Sequence, residues 1–178
     1  ELRQQNQALL AALRAEMTAP GPTAETDLNA APLQLGRHQL LQSVDPVHGG
    51  FGGAPKFPHP PSLDRLLRHW IANAASVEPD RAAETAVRLS LRRMAQGGLY
   101  DHLGGGFYRY SVDGEWSIPH FEKMLYDNGP LLALYSQVGR ATADPALLAV
   151  AEETGQWTLR EMQAPDGGYY ATLDADSE

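Results

Sequence analysis

Leu2, Leu9, Leu10, Leu13 and Met17 recur at helical spacing and predict an amphipathic helix that ends before the Pro20-Gly21-Pro22 breaker. Residues 18 to 30 read as a linker. A second helix is expected from about Pro32 to Ser43, with Leu33, Leu40, Leu41 and Val44 on its apolar side, stopping near Asp45-Pro46 because a residue before proline is pushed out of helical geometry. Ser62 reads as the cap of a third helix carrying Leu63, Leu66, Leu67, Trp70 and Ile71. The fourth, about Asp80 to Gln96, sets Ala83, Val87, Ser90, Leu91 and Met94 on one stripe and stops at Gly97-Gly98, so the two should pair as a hairpin.

Between these helices and the next, FYRYSVDGEWSI alternates aromatic and polar residues about Asp113-Gly114 and predicts a short β-hairpin. A fifth helix is expected to begin near His120 or Phe121 and to carry Phe121, Met124, Leu125, Leu132, Tyr135 and Val138. Gly129-Pro130 inside that pattern implies a kink or a restart. Asp144-Pro145 is a cap followed by a first-turn proline, opening a sixth helix that should run to about Met162. The chain then ends in DGGYYATLDADSE, a loop with no packing element after it, which reads as a truncated domain. Paired helices with long glycine-rich connections suggest an all-α hairpin array or closed toroid. No fixed-period repeat supports the common helical-repeat classes.

Composition narrows the functional classes. Apolar residues make up 43% and charged residues 20% of 178 positions, and no stretch approaches the roughly 18 to 20 apolar residues of a membrane span. No signal peptide is evident, so a soluble, cytoplasmic protein with no membrane partner is expected. The formal net charge of −8 argues against a nucleic-acid partner, whose phosphates need lysine and arginine. Cysteine is absent, which removes disulfides, thiol redox chemistry and cysteine-ligated zinc from this segment.

Candidate chemistry lies in three glycine-rich windows, 49 to 53, 97 to 106 and 167 to 168. The first, DPVHGGFGGAPKFPHP, offers His48 and Lys56 for a pocket rim but lacks the ending of a phosphate loop. The second is the densest and offers Asp101, His102, His120 and Glu122 as acids and bases, with Arg109 and Lys123 as cationic clamps. Lys56 and Lys123 are the only lysines in the chain, which suggests a specific need for them. Each of these residues also has a plain structural reading, as a surface charge, a hydrogen-bonded histidine or a rigid connector. The third window carries Asp166, Asp174, Asp176 and Glu178; Asp174-Ala175-Asp176 is like the start of a calcium loop, but the later glycine and glutamate fall past the last residue. Neither metal nor cofactor is assigned.

At GGFGGAPKFPHP, YDHLGGGFYRYSVDGEWSIPHFEKMLYDN and DGGYYATLDADSE the chain resembles the thioredoxin-domain protein family that includes the spermatogenesis-associated member. The resemblance covers roughly residues 29 to 178. It implies an N-terminal thioredoxin-like domain, absent here, followed by a six-hairpin α/α toroid similar to N-acylglucosamine 2-epimerases and six-hairpin glycosidases. On that basis residues 1–28 are expected to be an exit helix and linker, and 29–178 the first part of the toroid. The implied ligand is a sugar or polyol, with Tyr108, Trp116 and Tyr169 as stacking rings. For an epimerase or isomerase, His102 or His120 would move a proton beside a carbonyl while Arg109 or Lys123 stabilises the enolate oxygen. For a glycosidase, two of Asp101, Glu122 and Asp174 would act as acid and base. The rival expectation is a non-catalytic module that presents a ligand or protein to the thioredoxin-like domain.

Overall fold

The computed structural model describes residues 2–17 and 29–176, and it divides into two units, Glu1–Pro32 and Leu33–Glu178. The first unit holds α1 (Leu2–Met17), the amphipathic helix expected from the leucine spacing. Most of the expected linker lies outside the described residues.

The second unit is built on α2 (Ala31–Ser43, from Leu33 onward), α3 (Pro60–Asn73), α4 (Arg81–Gln96), α5 (Leu125–Thr142) and α6 (Pro145–Trp157). Helices α3 and α4 form one hairpin and α5 and α6 another, with α3 packed on α5 and α4 on α6. The predicted stripes meet in that core: Leu63, Leu66 and Leu67 of α3, Val87, Leu91 and Met94 of α4, and Tyr135 and Val138 of α5 are all fully buried, joined by Leu131, while Phe121, expected on the α5 stripe, is exposed. Each such side chain contributes roughly 1.5–3 kcal/mol of transfer free energy, which is why the helices pair by these faces. Asp80 caps α4 through the Ala83 N–H (3.1 Å) and also receives the Arg37 fork (2.6 Å) from α2. Local capping and the attachment of α2 therefore share one carboxylate.

Three boundaries differ from expectation. Helix α3 begins at Pro60, two residues before Ser62, because the prolines preset helical φ and His59 enters at φ 46° as its cap. Helix α5 begins at Leu125, not at His120 or Phe121, because residues 119–124 are drawn into strand pairing. Strand β1 (Tyr110–Ser111) pairs antiparallel with β2 (Pro119–His120), and β3 (Lys123–Met124) pairs with β4 (Thr172–Leu173). The first pair is the expected hairpin, with a longer tip. The second joins segments far apart in sequence, which local periodicity cannot register. Helix α6 ends at Trp157, and Thr158–Met162 continue as a wider π turn. Pro130 sits inside α5, whose helix runs on through it to Thr142. Among the described residues no helix is long and apolar enough to cross a membrane.

Candidate functional site

The exits of α2 and α4 are built alike. Asp45 and Asp101 each begin a run of Asp, three residues, Gly, Gly, Phe. Asp45 Oδ1 accepts from the N–H groups of Val47 and His48 (2.9 Å each), and Asp101 Oδ1 from those of Leu103 and Gly104 (3.0 and 2.9 Å). In both loops the aspartate N–H donates to the sixth residue's carbonyl, Gly50 or Gly106, and the flanking residues bridge, Val44 to Phe51 and Tyr100 to Phe107. Gly50 and Gly106 have positive φ (70° and 79°) and lie flat against Trp116 and Trp157, where a Cβ would strike the indole.

Each loop is then closed by one of the two lysines. Lys56 Nζ donates to Asp45 Oδ2 (2.6 Å) and to the Gly114 carbonyl (2.9 Å), 5.0 Å above the Trp116 ring. Lys123 Nζ donates to Asp101 Oδ2 and the Gly105 carbonyl (2.7 Å each), 4.8 Å from the Tyr108 ring and 4.9 Å from that of Trp157. Burial opposes ionisation of both aspartates, but backbone N–H groups and the ammonium outweigh it and hold each at about 2. Burial draws the Lys123 ammonium below its ordinary value while Asp101 opposes that shift. The pair stays ionic because the carboxylate is held from three sides.

A second group lies at the start of α5. Arg109 Nη1 donates to Glu122 Oε2 at 2.7 Å, and the two backbones meet through the Arg109 N–H and the Glu122 carbonyl (2.7 Å). His120 stacks on Tyr110 (4.7 Å, 14°), and its Nε2 lies 3.9 Å from Glu122, too far for a hydrogen bond. Tyr110 in turn packs on Phe57 (4.8 Å). Beside them Phe57, Pro58, His59, Pro60, Pro61, Tyr126 and Asp127 line a pocket of ≈ 270 Å³. Asp127 is only 8% exposed and has no hydrogen-bond or ion-pair partner among the described residues. Burial pushes its carboxyl up to about 6, with the Arg109 charge opposing and that of Glu122 adding.

The structure thus divides the residues singled out in the sequence. Asp101, Lys123 and Tyr108 belong to one clamp; Lys56, His48 and Trp116 belong to the other, the His48 carbonyl accepting from Trp116 Nε1 at 2.8 Å. The Trp116 ring is fully buried and offers no face to a ligand. His102 Nε2 lies 2.9 Å from the Gly97 carbonyl. Arg109, His120 and Glu122 come together. Asp174 and Asp176 are exposed after β4, and Tyr169 is exposed in the turn bridged to Gln163. Sequence reasoning missed Asp127, Tyr126, Tyr110 and His59. A signal for Asp127 was present: it falls on the same stripe as Leu131, Leu134 and Val138, where an acid is out of place.

The class that this architecture defines is the α/α toroid of helical hairpins. A sugar epimerase from a ruminal bacterium superposes with a TM-score of 0.61 at 18% identity, over 81% of this chain and 40% of that one. The cellobiose 2-epimerase of Spirochaeta thermophila does so with a TM-score of 0.59 at 25% identity, over 84% and 42%. No family model matches the chain. In sequence the chain is 42% identical over 139 residues to spermatogenesis-associated protein 20 of mouse and of human, which is 78% of this chain and 18% of each relative. The resemblance to the family that includes the spermatogenesis-associated protein therefore holds across this segment, which spans under a fifth of those relatives' length.

Proposed function

We propose that this segment forms part of the wall of a sugar- or polyol-binding cavity in a toroid protein, with Arg109, His120, Glu122 and the neighbouring Asp127 pocket as its polar end. One observation carries the reading: Asp127, mostly buried and with no side-chain partner among the described residues, shares a pocket with Phe57 and Tyr126 and feels the Arg109 charge, on a fold similar to a cellobiose 2-epimerase. Aromatic faces with a few convergent polar groups are what a polyol ligand requires. In an epimerase or isomerase scheme His120 is better suited than His102 to carry a proton, since its ring makes no hydrogen bond among the described residues whereas the His102 ring lies within hydrogen-bond distance of the Gly97 carbonyl. Arg109 supplies the charge for an enolate oxygen. A glycosidase scheme gains less, because Asp101 is tied to Lys123 and Asp174 is exposed beyond β4. On the same reading, residues 1–28 connect a preceding thioredoxin-like domain to the toroid, and 29–178 open the ring.

The test uses the full-length protein with D-glucose, D-mannose and cellobiose, following thermal shift together with exchange of the C2 proton for solvent deuterium. Turnover that His120→Ala abolishes without lowering the melting temperature supports the catalytic scheme. A second reading, a ligand- or protein-binding module without catalysis, is favoured by the consumption of Asp45, Asp101, Lys56 and Lys123 in loop closure. Sugar binding without exchange would establish that reading instead, and absence of both would end the sugar hypothesis.

A further inference from the structure

The pocket beside α5 has the makings of a ligand subsite in its own right. Its walls are stiff, because Pro58, Pro60 and Pro61 fix their backbone φ and the following helix is anchored in the core. Its volume of ≈ 270 Å³ lies just under the usual range for small-molecule sites, so it suits one small ring and not an extended chain. Phe57 is partly exposed and packs on Tyr110 while lining the pocket, so a ligand can lie against the ring without disturbing the core. Tyr126 and His59, both exposed, add polar edges at the mouth.

The floor is Asp127. An acid in the first turn of a helix is favoured by the backbone dipole, but that benefit needs no burial, and most such acids remain in water. More than nine-tenths of Asp127 is withdrawn from solvent, and its side chain has no hydrogen bond or ion pair among the described residues. Its carboxylate oxygens are not sealed in the core but keep contact with the solvent of the pocket, where ionisation still costs stability. Such a cost is characteristic of a group kept for a ligand. The charged and titratable groups around it are Arg109 and Glu122, with Tyr126, His59 and His120 nearby along the same wall.

We propose that Phe57, His59, Tyr126 and Asp127 form a subsite for a single sugar ring, the Asp127 carboxylate accepting hydrogen bonds from two neighbouring hydroxyls while the C–H face of the ring lies on Phe57. The proposal rests on the sugar reading above and assigns the hydroxyl-binding group within it. A carboxylate accepts from hydroxyls at both oxygens in charge-assisted bonds, whereas the protonated acid keeps only a weaker carbonyl acceptor and turns its other oxygen into a donor, so affinity rises as pH rises through about 6.

The experiment is calorimetric titration of the full-length protein with D-glucose and D-mannose, well below and well above pH 6, using wild type, Asp127→Asn, Phe57→Ala and, as comparator, His120→Ala. The expected result is binding that strengthens above that pH in the wild type. Asp127→Asn should weaken it roughly tenfold or more and remove the pH step, while melting at a higher temperature than wild type. Phe57→Ala should weaken binding and leave the pH step in place. Sugar binding that is unchanged in Asp127→Asn overturns the subsite and leaves the broader sugar reading standing. A wild type that binds neither sugar overturns both.

Discussion

Two kinds of carboxylate stand in this chain, and they have been treated in opposite ways. Asp45 and Asp101 are each surrounded by two backbone N–H groups and a buried lysine, and each is held at about 2. Asp127 is more deeply buried than either, has no partner among the described residues, and is pushed up to about 6. The first pair fastens loops to the core; the second is a group whose hydrogen-bonding capacity is unspent. Burial alone therefore does not say what an acid does. The deciding quantity is how many of its lone pairs are already occupied.

The contrast breaks most easily at the lysines. Removing Lys123 as Lys123→Ala leaves Asp101 charged, mostly buried and short of one donor, and exposes the Gly105 carbonyl to the same loss. The expected cost is about 3 kcal/mol, the lower end of the range for breaking a buried pair, because Asp101 keeps part of its surface in water. Lys56→Ala should cost about the same, since each lysine donates to one aspartate and to one backbone carbonyl. Urea denaturation of the full-length protein measures both. A change under about 1 kcal/mol in either would mean that the backbone N–H groups suffice and the lysines are dispensable to the loops.

The second expectation has the opposite sign. The folded pKa of Asp127 is raised above its unfolded value, so the native state carries no penalty where the group is protonated in both states, below about pH 4. The penalty grows as pH rises toward about 6 and is complete above it. Asp127→Asn should therefore stabilise the protein by about 1–3 kcal/mol near neutral pH and by little near pH 4. For Asp45 and Asp101 the folded pKa is depressed, so their contribution is present above about pH 4 and is lost as pH falls through about 2. Melting temperatures across the acid range, compared between wild type and Asp127→Asn, separate the two slopes.

Much of the fold was legible because it is local. The stripes of α3 and α4, the Asp144 cap and the turn about Asp113 are all written within a few residues of where they act. The rarity of lysine also marked the two clamp residues, although their task could not be read without seeing which aspartate each meets. What escaped was non-local. The pairing of Lys123–Met124 with Thr172–Leu173 moved the start of α5, and with it the position of Asp127 in the first turn. Gly97-Gly98 and Gly104-Gly105-Gly106 read as one glycine-rich window, but what Gly105 and Gly106 lie against, Glu153 and Trp157, belongs to another hairpin.

The smallest effect should come from the rings that hold the second region together. Arg109 and Glu122 are partly exposed, so their ion pair is screened and positions more than it stabilises. His120 is held differently, by its stack on Tyr110, which itself lies against Phe57 at the pocket edge. Tyr110→Leu keeps an apolar side chain in that place but removes the ring face. The expected loss is about 0.5–1.5 kcal/mol of stability, well below that of either lysine change. Its larger consequence should be on ligand response, because His120 and Phe57 would both be released to other rotamers. A variant that melts close to wild type yet loses sugar binding would show that this region, unlike the clamps, is organised around a ligand. Unchanged binding would move Tyr110 back into ordinary packing and leave the contrast resting on Asp127 alone.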